Sequence, residues 1–218
     1  MADTARTAQS EIQVFQADRS RLGSQIAAHL RDQIMSGQLA PGEKLRLLPL
    51  SSTLNVSTSP VREALLLLES EGLVKSEPHR GFVVEQLSAR DILDIFELHA
   101  FVAGKLAERG CPNMSERQLT DLASVNAEIQ EAAAVGRGAD VEELNYQFHR
   151  IINRAGESPI LARILRQTTH YVPRHYYGKI NGWIEATLRD HGPIIDALRR
   201  RDACTVRDLT EELSLIHI

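Results

Sequence analysis

Apolar residues recur every four positions at Leu22, Ile26, Leu30 and Ile34, the spacing of one buried helix face. Gly37 stops that helix, and GQLAPGEKL supplies a turn through Pro41 and Gly42. A short helix is predicted over Leu48–Leu54, interrupted by Asn55, and a second from about Ser57–Pro60 through Glu71. Its start is marked by Ser59 as cap, Pro60 as first helical residue and Glu63 close enough to serve the first turn. Gly72 ends it. LVKSE and GFVVEQL then read as two strands joined by PHRG, a hairpin whose tip carries His79 and Arg80.

After Ser88 the pattern becomes wholly helical. Helices are predicted at about 88–109, 115–135, 139–155, 158–179, 181–200 and 202–213. Breaks fall at Gly110–Pro112, Gly136–Gly138, Gly156–Pro159 and Arg201. Residues 1–20 are polar and aperiodic, a loose leader. The expected organisation is therefore leader 1–20, a small mixed domain 21–87 and an all-helical domain 88–218, a mainly α fold. The tail LSLIHI, residues 213–218, breaks the polar spacing before it and resembles read-through of a sequencing adapter, so it is expected to be foreign to the natural chain.

Composition narrows the class. With 43% hydrophobic and 25% charged residues, the chain is an ordinary globular protein. Two cysteines, Cys111 and Cys204, form no disulfide framework, and a reducing cytoplasm fits them best. No apolar run is long enough to span a membrane, and the first twenty residues hold no signal peptide. A formal net charge of −4 speaks mildly against nucleic acid, yet a local basic face suffices for a reading head. HExxH, GxSxG, P-loop and GxGxxG patterns are all missing from the sequence, which disfavours the alternative of a metal-dependent enzyme using the C-terminal histidines.

Helix, short helix, turn, second helix and hairpin is the order of a winged helix-turn-helix. There the turn fixes two helices at a steep angle, so that the second lies in the major groove. Ser57, Thr58 and Ser59 would meet phosphates or base edges, with Arg62 one turn on from Thr58 and the Arg80–Gly81 tip beside a groove. A capped amphipathic helix with Arg62 in a surface pair would show the same spacing.

The run GQLAPGEKL, LNVSTSPVREALLLLESEGLV and GFVV resembles the DNA-binding domain of GntR-family regulators. The resemblance implies DNA contacts from Ser57, Thr58, Ser59 and Arg62, with the Gly81 wing beside them. Two departures alter the expected base preference. Thr58 stands where many members have arginine, and Leu48 where a basic residue is frequent, with Arg46 nearby to compensate.

The second half resembles the FCD subgroup through NYQFHRIINRAGESPIL and DHGPIIDALRRRDA. Independently of that, Asn145 and His149 lie four apart on one helix, and a bundle can bring His191 opposite. By the resemblance these three belong to a divalent metal site (zinc, nickel or manganese) made of an aspartate and three histidines. Here Asn145 replaces the aspartate and Leu213 the last histidine, with His217 out of register, so the site is expected to be incomplete. His99 and Arg174 are candidate effector contacts, Arg174 lying with His170 and His175 in HYVPRHYY. The implied protein is a dimeric repressor that binds double-stranded operator DNA and senses a small organic or sugar acid.

Overall fold

A computed structural model describes residues 21–78, 81–171 and 181–216. The chain divides into two compact units that meet between Ser88 and Ala89.

The first unit is built from α1 (21–35), β1 (Lys44–Leu45), α2 (Leu47–Thr53), α3 (Thr58–Ser70), β2 (Val74–Glu77) and β3 (Gly81–Val84). Ile26, Ala27 and Leu30 of α1 are buried, as are Val61, Ala64, Leu65 and Leu68 of α3. Each such side chain contributes about 1.5–3 kcal/mol on burial, the small alanines less. The sheet runs β1-β3-β2, antiparallel throughout, with Leu45 opposite Phe82 and Val74 opposite Val84. Arg31 holds Glu71 with a fork of hydrogen bonds at 2.6–2.9 Å, fastening α1 to the end of α3.

Two details differ from the sequence expectation. The cap of α3 is Ser57 rather than Ser59, and Pro60 is its third residue. Any first-turn position lacks an intrahelical N–H partner, so proline is tolerated there without loss. The strand β1 was not expected. It is two residues long and exists only because β3 offers it an edge.

The second unit contains α4 (Ala89–Gly110), a 3₁₀ turn at Cys111–Asn113, α5 (Glu116–Ala134), α6 (Gly138–Ala155), α7 (Pro159–Thr168), a 3₁₀ turn at Thr169–Tyr171, α8 (Trp183–Arg199) and α9 (Ala203–Ile216). α4 packs against α6, α7 and α9, while α5 and α6 form a hairpin closed at Gly136. The core gathers Leu122, Ile129, Phe148, Ile152, Trp183, Ile194, Leu198 and Val206. α4 and α6 approach so closely that a Cβ on Gly156 would stand 2.6 Å from the Leu106 carbonyl oxygen. Ser115 and Gln118 form a reciprocal capping box at the start of α5. Arg201, in the left-handed region at φ 58°, turns the chain from α8 into α9. Its guanidinium donates to the Cys111 carbonyl at 2.9 Å.

The helix expected over 158–179 ends instead at Thr168. The hydroxyls of Thr168 and Thr169 turn back onto the carbonyls of Leu165 and Arg166, at 2.8 and 2.7 Å, where the helix narrows into the 3₁₀ turn. At the other end, α9 continues through the apolar tail to Ile216, and Leu213 packs into the core at 2% exposure.

Candidate functional site

In the first unit the expected reading residues share an exposed face. Ser57, Thr58, Ser59 and Arg62 are all exposed, while Pro60, Val61, Ala64, Leu65 and Leu68 fill the opposite side of α3. The left-handed Asn55 (φ 53°) makes the turn from α2, a conformation asparagine tolerates better than most residues. Ser57 makes no side-chain cap bond, and neither α2 nor α3 carries an acid in its first turn. The positive end of the α3 dipole therefore meets no carboxylate of its own, which favours an anion.

Arg46 is exposed at the N-cap of α2. Because Leu45 pairs with Phe82, one further step along each strand sets Arg46 across from Gly81, the first residue of β3. Gly81 adopts φ 84°, a left-handed conformation that suits glycine. Arg80 and His79 lie outside the described residues. Leu48, in the first turn of α2, is 74% exposed.

In the second unit α6 and α8 bring two predicted histidines together. The rings of His149 and His191 lie 5.4 Å apart, edge to face, and His191 stacks on Phe148 at 3.8 Å with its plane within 2°. His191 is completely buried. Asn145 lies one turn before His149 and is also buried. Its Oδ1 has no hydrogen-bond partner among the described residues, and neither has Oδ1 of Asn126 on α5. Asn126 carried no signal in the sequence beyond being polar at a helical core position.

These three residues offer two imidazoles and an amide oxygen, and Leu213 on α9 is a buried apolar side chain. Among the described residues no group of three histidine, cysteine or acidic side chains stands close enough to hold a metal ion. These residues do not fit a four-ligand metal site, since a divalent ion here would lack charge and donors. His217, Arg174, His175 and the side chain of His170 lie outside the described residues. A groove of about 340 Å³ between α8 and α9 is lined by Arg189, Asp190, Pro193, Leu209, Glu212 and Leu213, and not by the histidine pair.

His99 lies on α4 against α7. Its Nδ1 lies 2.8 Å from the Thr168 hydroxyl, whose own proton goes to the Leu165 carbonyl. Thr168 must therefore accept, so Nδ1 donates and Nε2 is the free acceptor of a neutral ring. Burial pushes the His99 pKa down to about 4, which keeps the ring neutral at physiological pH.

Comparison with known proteins agrees with both halves. Residues 22–84 match the family described as bacterial regulatory proteins, gntR family, and residues 94–214 match the FCD domain. The Bacillus subtilis HTH-type transcriptional regulator YdhC is 26% identical over 178 residues, covering 79% of each chain. The Escherichia coli HTH-type transcriptional repressor RspR is 27% identical over 198 residues, covering 89% of this chain and 87% of its own. Among solved structures, E. coli McbR/YncC shares the fold with a TM-score of 0.67 at 24% identity, covering 88% of this chain and 93% of its own. These families and relatives are transcriptional regulators, not enzymes. The chain belongs to the GntR family of bacterial regulatory proteins, as a DNA-binding transcriptional regulator with a winged helix-turn-helix and an FCD-type helical domain.

Proposed function

We propose that this regulator is a ligand-controlled repressor, acting as a cytoplasmic homodimer that releases double-stranded operator DNA when a small organic or sugar acid enters the C-terminal bundle. The reading unit is 21–87 and the sensing unit 88–218. Arg46, Ser57, Thr58, Ser59, Arg62, Arg80 and Gly81 form the DNA face, and Asn145, His149 and His191 the heart of the sensor, with His99 and Arg174 as further effector contacts.

One observation carries the sensing half of this reading. Asn145 Oδ1 is buried without a donor, which costs about 1–3 kcal/mol, and a ligand bearing an N–H or O–H group offsets that cost. An effector that binds one arrangement of the bundle more tightly shifts the heads and so weakens operator binding, by linkage. RspR is named a repressor, and a Paenarthrobacter nicotinovorans relative, 26% identical over 195 residues, is named "Probable D-xylose utilization operon transcriptional repressor". Zinc, nickel or manganese binds only weakly through two imidazoles and an amide. Exposed Leu93, Leu98 and Phe101 on α4 support association with a second copy. Among the described residues no helix is long and apolar enough to cross a membrane.

The test is a gel-shift with genomic fragments, followed by footprinting and a thermal-shift screen of carboxylate metabolites with and without each metal. A roughly palindromic footprint and a metabolite that both raises the melting temperature and releases the fragment are expected. A screen in which every stabilising metabolite leaves the gel-shift unchanged overturns ligand control.

A further inference from the structure

The outward side of α3 carries an apolar residue that the reading above does not use. Residues four apart on a helix lie on one ridge, and Thr58, Arg62 and Leu66 form such a row. Leu66 is 50% exposed, although its neighbours Leu65 and Leu68 are fully buried. The row therefore presents a hydroxyl, a guanidinium and an isobutyl group in sequence. Eight residues at 1.5 Å each span roughly 12 Å, about the width of the major groove.

The row holds a cation and no carboxylate. The acids three residues either side of Leu66 are both engaged: Glu63 lies against Gly23 of α1, where a Cβ would stand 3.1 Å from its Oε2, and Glu69 Oε1 accepts from the Ser76 N–H at 2.8 Å. A surface of this kind suits duplex DNA better than an acidic protein partner or a second copy of itself. In the major groove only thymine offers an apolar group, its C5-methyl.

We propose that Leu66 is a specificity residue that packs on the C5-methyl of a thymine in each operator half-site, two helical turns beyond the base pair met by Thr58. This rests on α3 being the DNA-reading helix. Leucine donates and accepts no hydrogen bond, so it distinguishes thymine by the methyl alone.

The experiment selects duplexes from a random library with the full-length chain, then replaces each thymine of the selected site in turn by deoxyuridine, which lacks only that methyl. At one thymine per half-site the replacement weakens binding about fourfold, the effect of burying one methyl-sized group. Leu66→Ala loses that sensitivity while keeping the wild-type melting temperature. Leu67→Ala, exposed on the neighbouring side of α3, retains it. The proposal is overturned if no thymine responds, or if the response persists in Leu66→Ala. An Arg62→Ala chain that selects and binds as tightly as wild type, or a wild-type chain that enriches no sequence, removes instead the underlying assignment of α3.

Discussion

Ser57, Thr58, Ser59 and Arg62 stand in solvent at the start of α3, whereas His191 is sealed between α6 and α8 with Phe148 flat against its ring. The two units thus handle polar chemistry in opposite ways. The reading face costs the fold nothing, because its side chains point away from a core of Val61, Ala64, Leu65 and Leu68. The cluster of Asn145, His149 and His191 replaces part of the core, and Asn145 Oδ1 lies there without a hydrogen-bond partner among the described residues. Substitutions on the exposed face of α3 should therefore change binding without changing stability, and those in the core of the bundle should lower its stability. A surface meant to meet a large rigid partner is fully formed beforehand. Polar groups buried inside a bundle are coupled to the packing around them.

The largest effect expected is on packing in the second unit. Gly156→Val drives a side chain into the Leu106 carbonyl, 2.6 Å away at the Cβ, and destabilises the bundle by about 3 kcal/mol. Calorimetry should show the bundle melting earlier while operator affinity, measured where the chain is still folded, is retained. A variant that melts with wild type breaks the close approach of α4 and α6.

Arg62→Ala tests the other side of the contrast. Loss of its base or phosphate contact should weaken operator binding by about 1–3 kcal/mol, read by fluorescence anisotropy, with the melting temperature unchanged. Wild-type affinity would remove α3 from the reading face.

His99 sharpens the contrast through pH. Its folded pKa of about 4 lies below the ordinary 6.5, so the unfolded chain binds the proton more readily. The stability that this ring contributes is complete above pH 6.5 and is lost as pH falls to about 4. The partly solvated ring makes this about 2 kcal/mol rather than the whole shift. Urea unfolding at pH 7 and pH 4.5 should show a smaller drop for His99→Gln than for wild type, and equal drops would refute the buried neutral ring.

The smallest effect concerns metal. Protein purified without chelator should carry well under one zinc, nickel or manganese per chain by elemental analysis, because two imidazoles and an amide leave an ion under-coordinated. A stoichiometric ion would place further ligands at the sensor, with His217 or His99 first to be substituted.

The helix-turn-helix, its wing and the helical second half were legible because their signals are local. Gly37, Gly72 and Gly136 adopt φ of 75°, 74° and 73°, so the punctuation that glycine gives in the sequence is the punctuation of the backbone. The exposure of Ser57, Thr58, Ser59 and Arg62 follows from the helix itself, although its cap fell at Ser57 rather than Ser59. The 3₁₀ turn after Thr168 was not, since polar residues with helical spacing continue beyond it.

What the sequence determined by itself is therefore the order of elements and the identity of the family, both written in short-range spacing. It could not rank the leucines of ALLLL. Helical periodicity alone permits more than one choice of buried face, and only packing against α1 and the sheet turned Leu65 and Leu68 inward and left Leu66 and Leu67 outside. The two-residue strand β1 and the stacking of Phe148 on His191 are of the same kind. Each joins residues far apart in the chain, and their pairing energy exists only once the intervening helices have closed the distance.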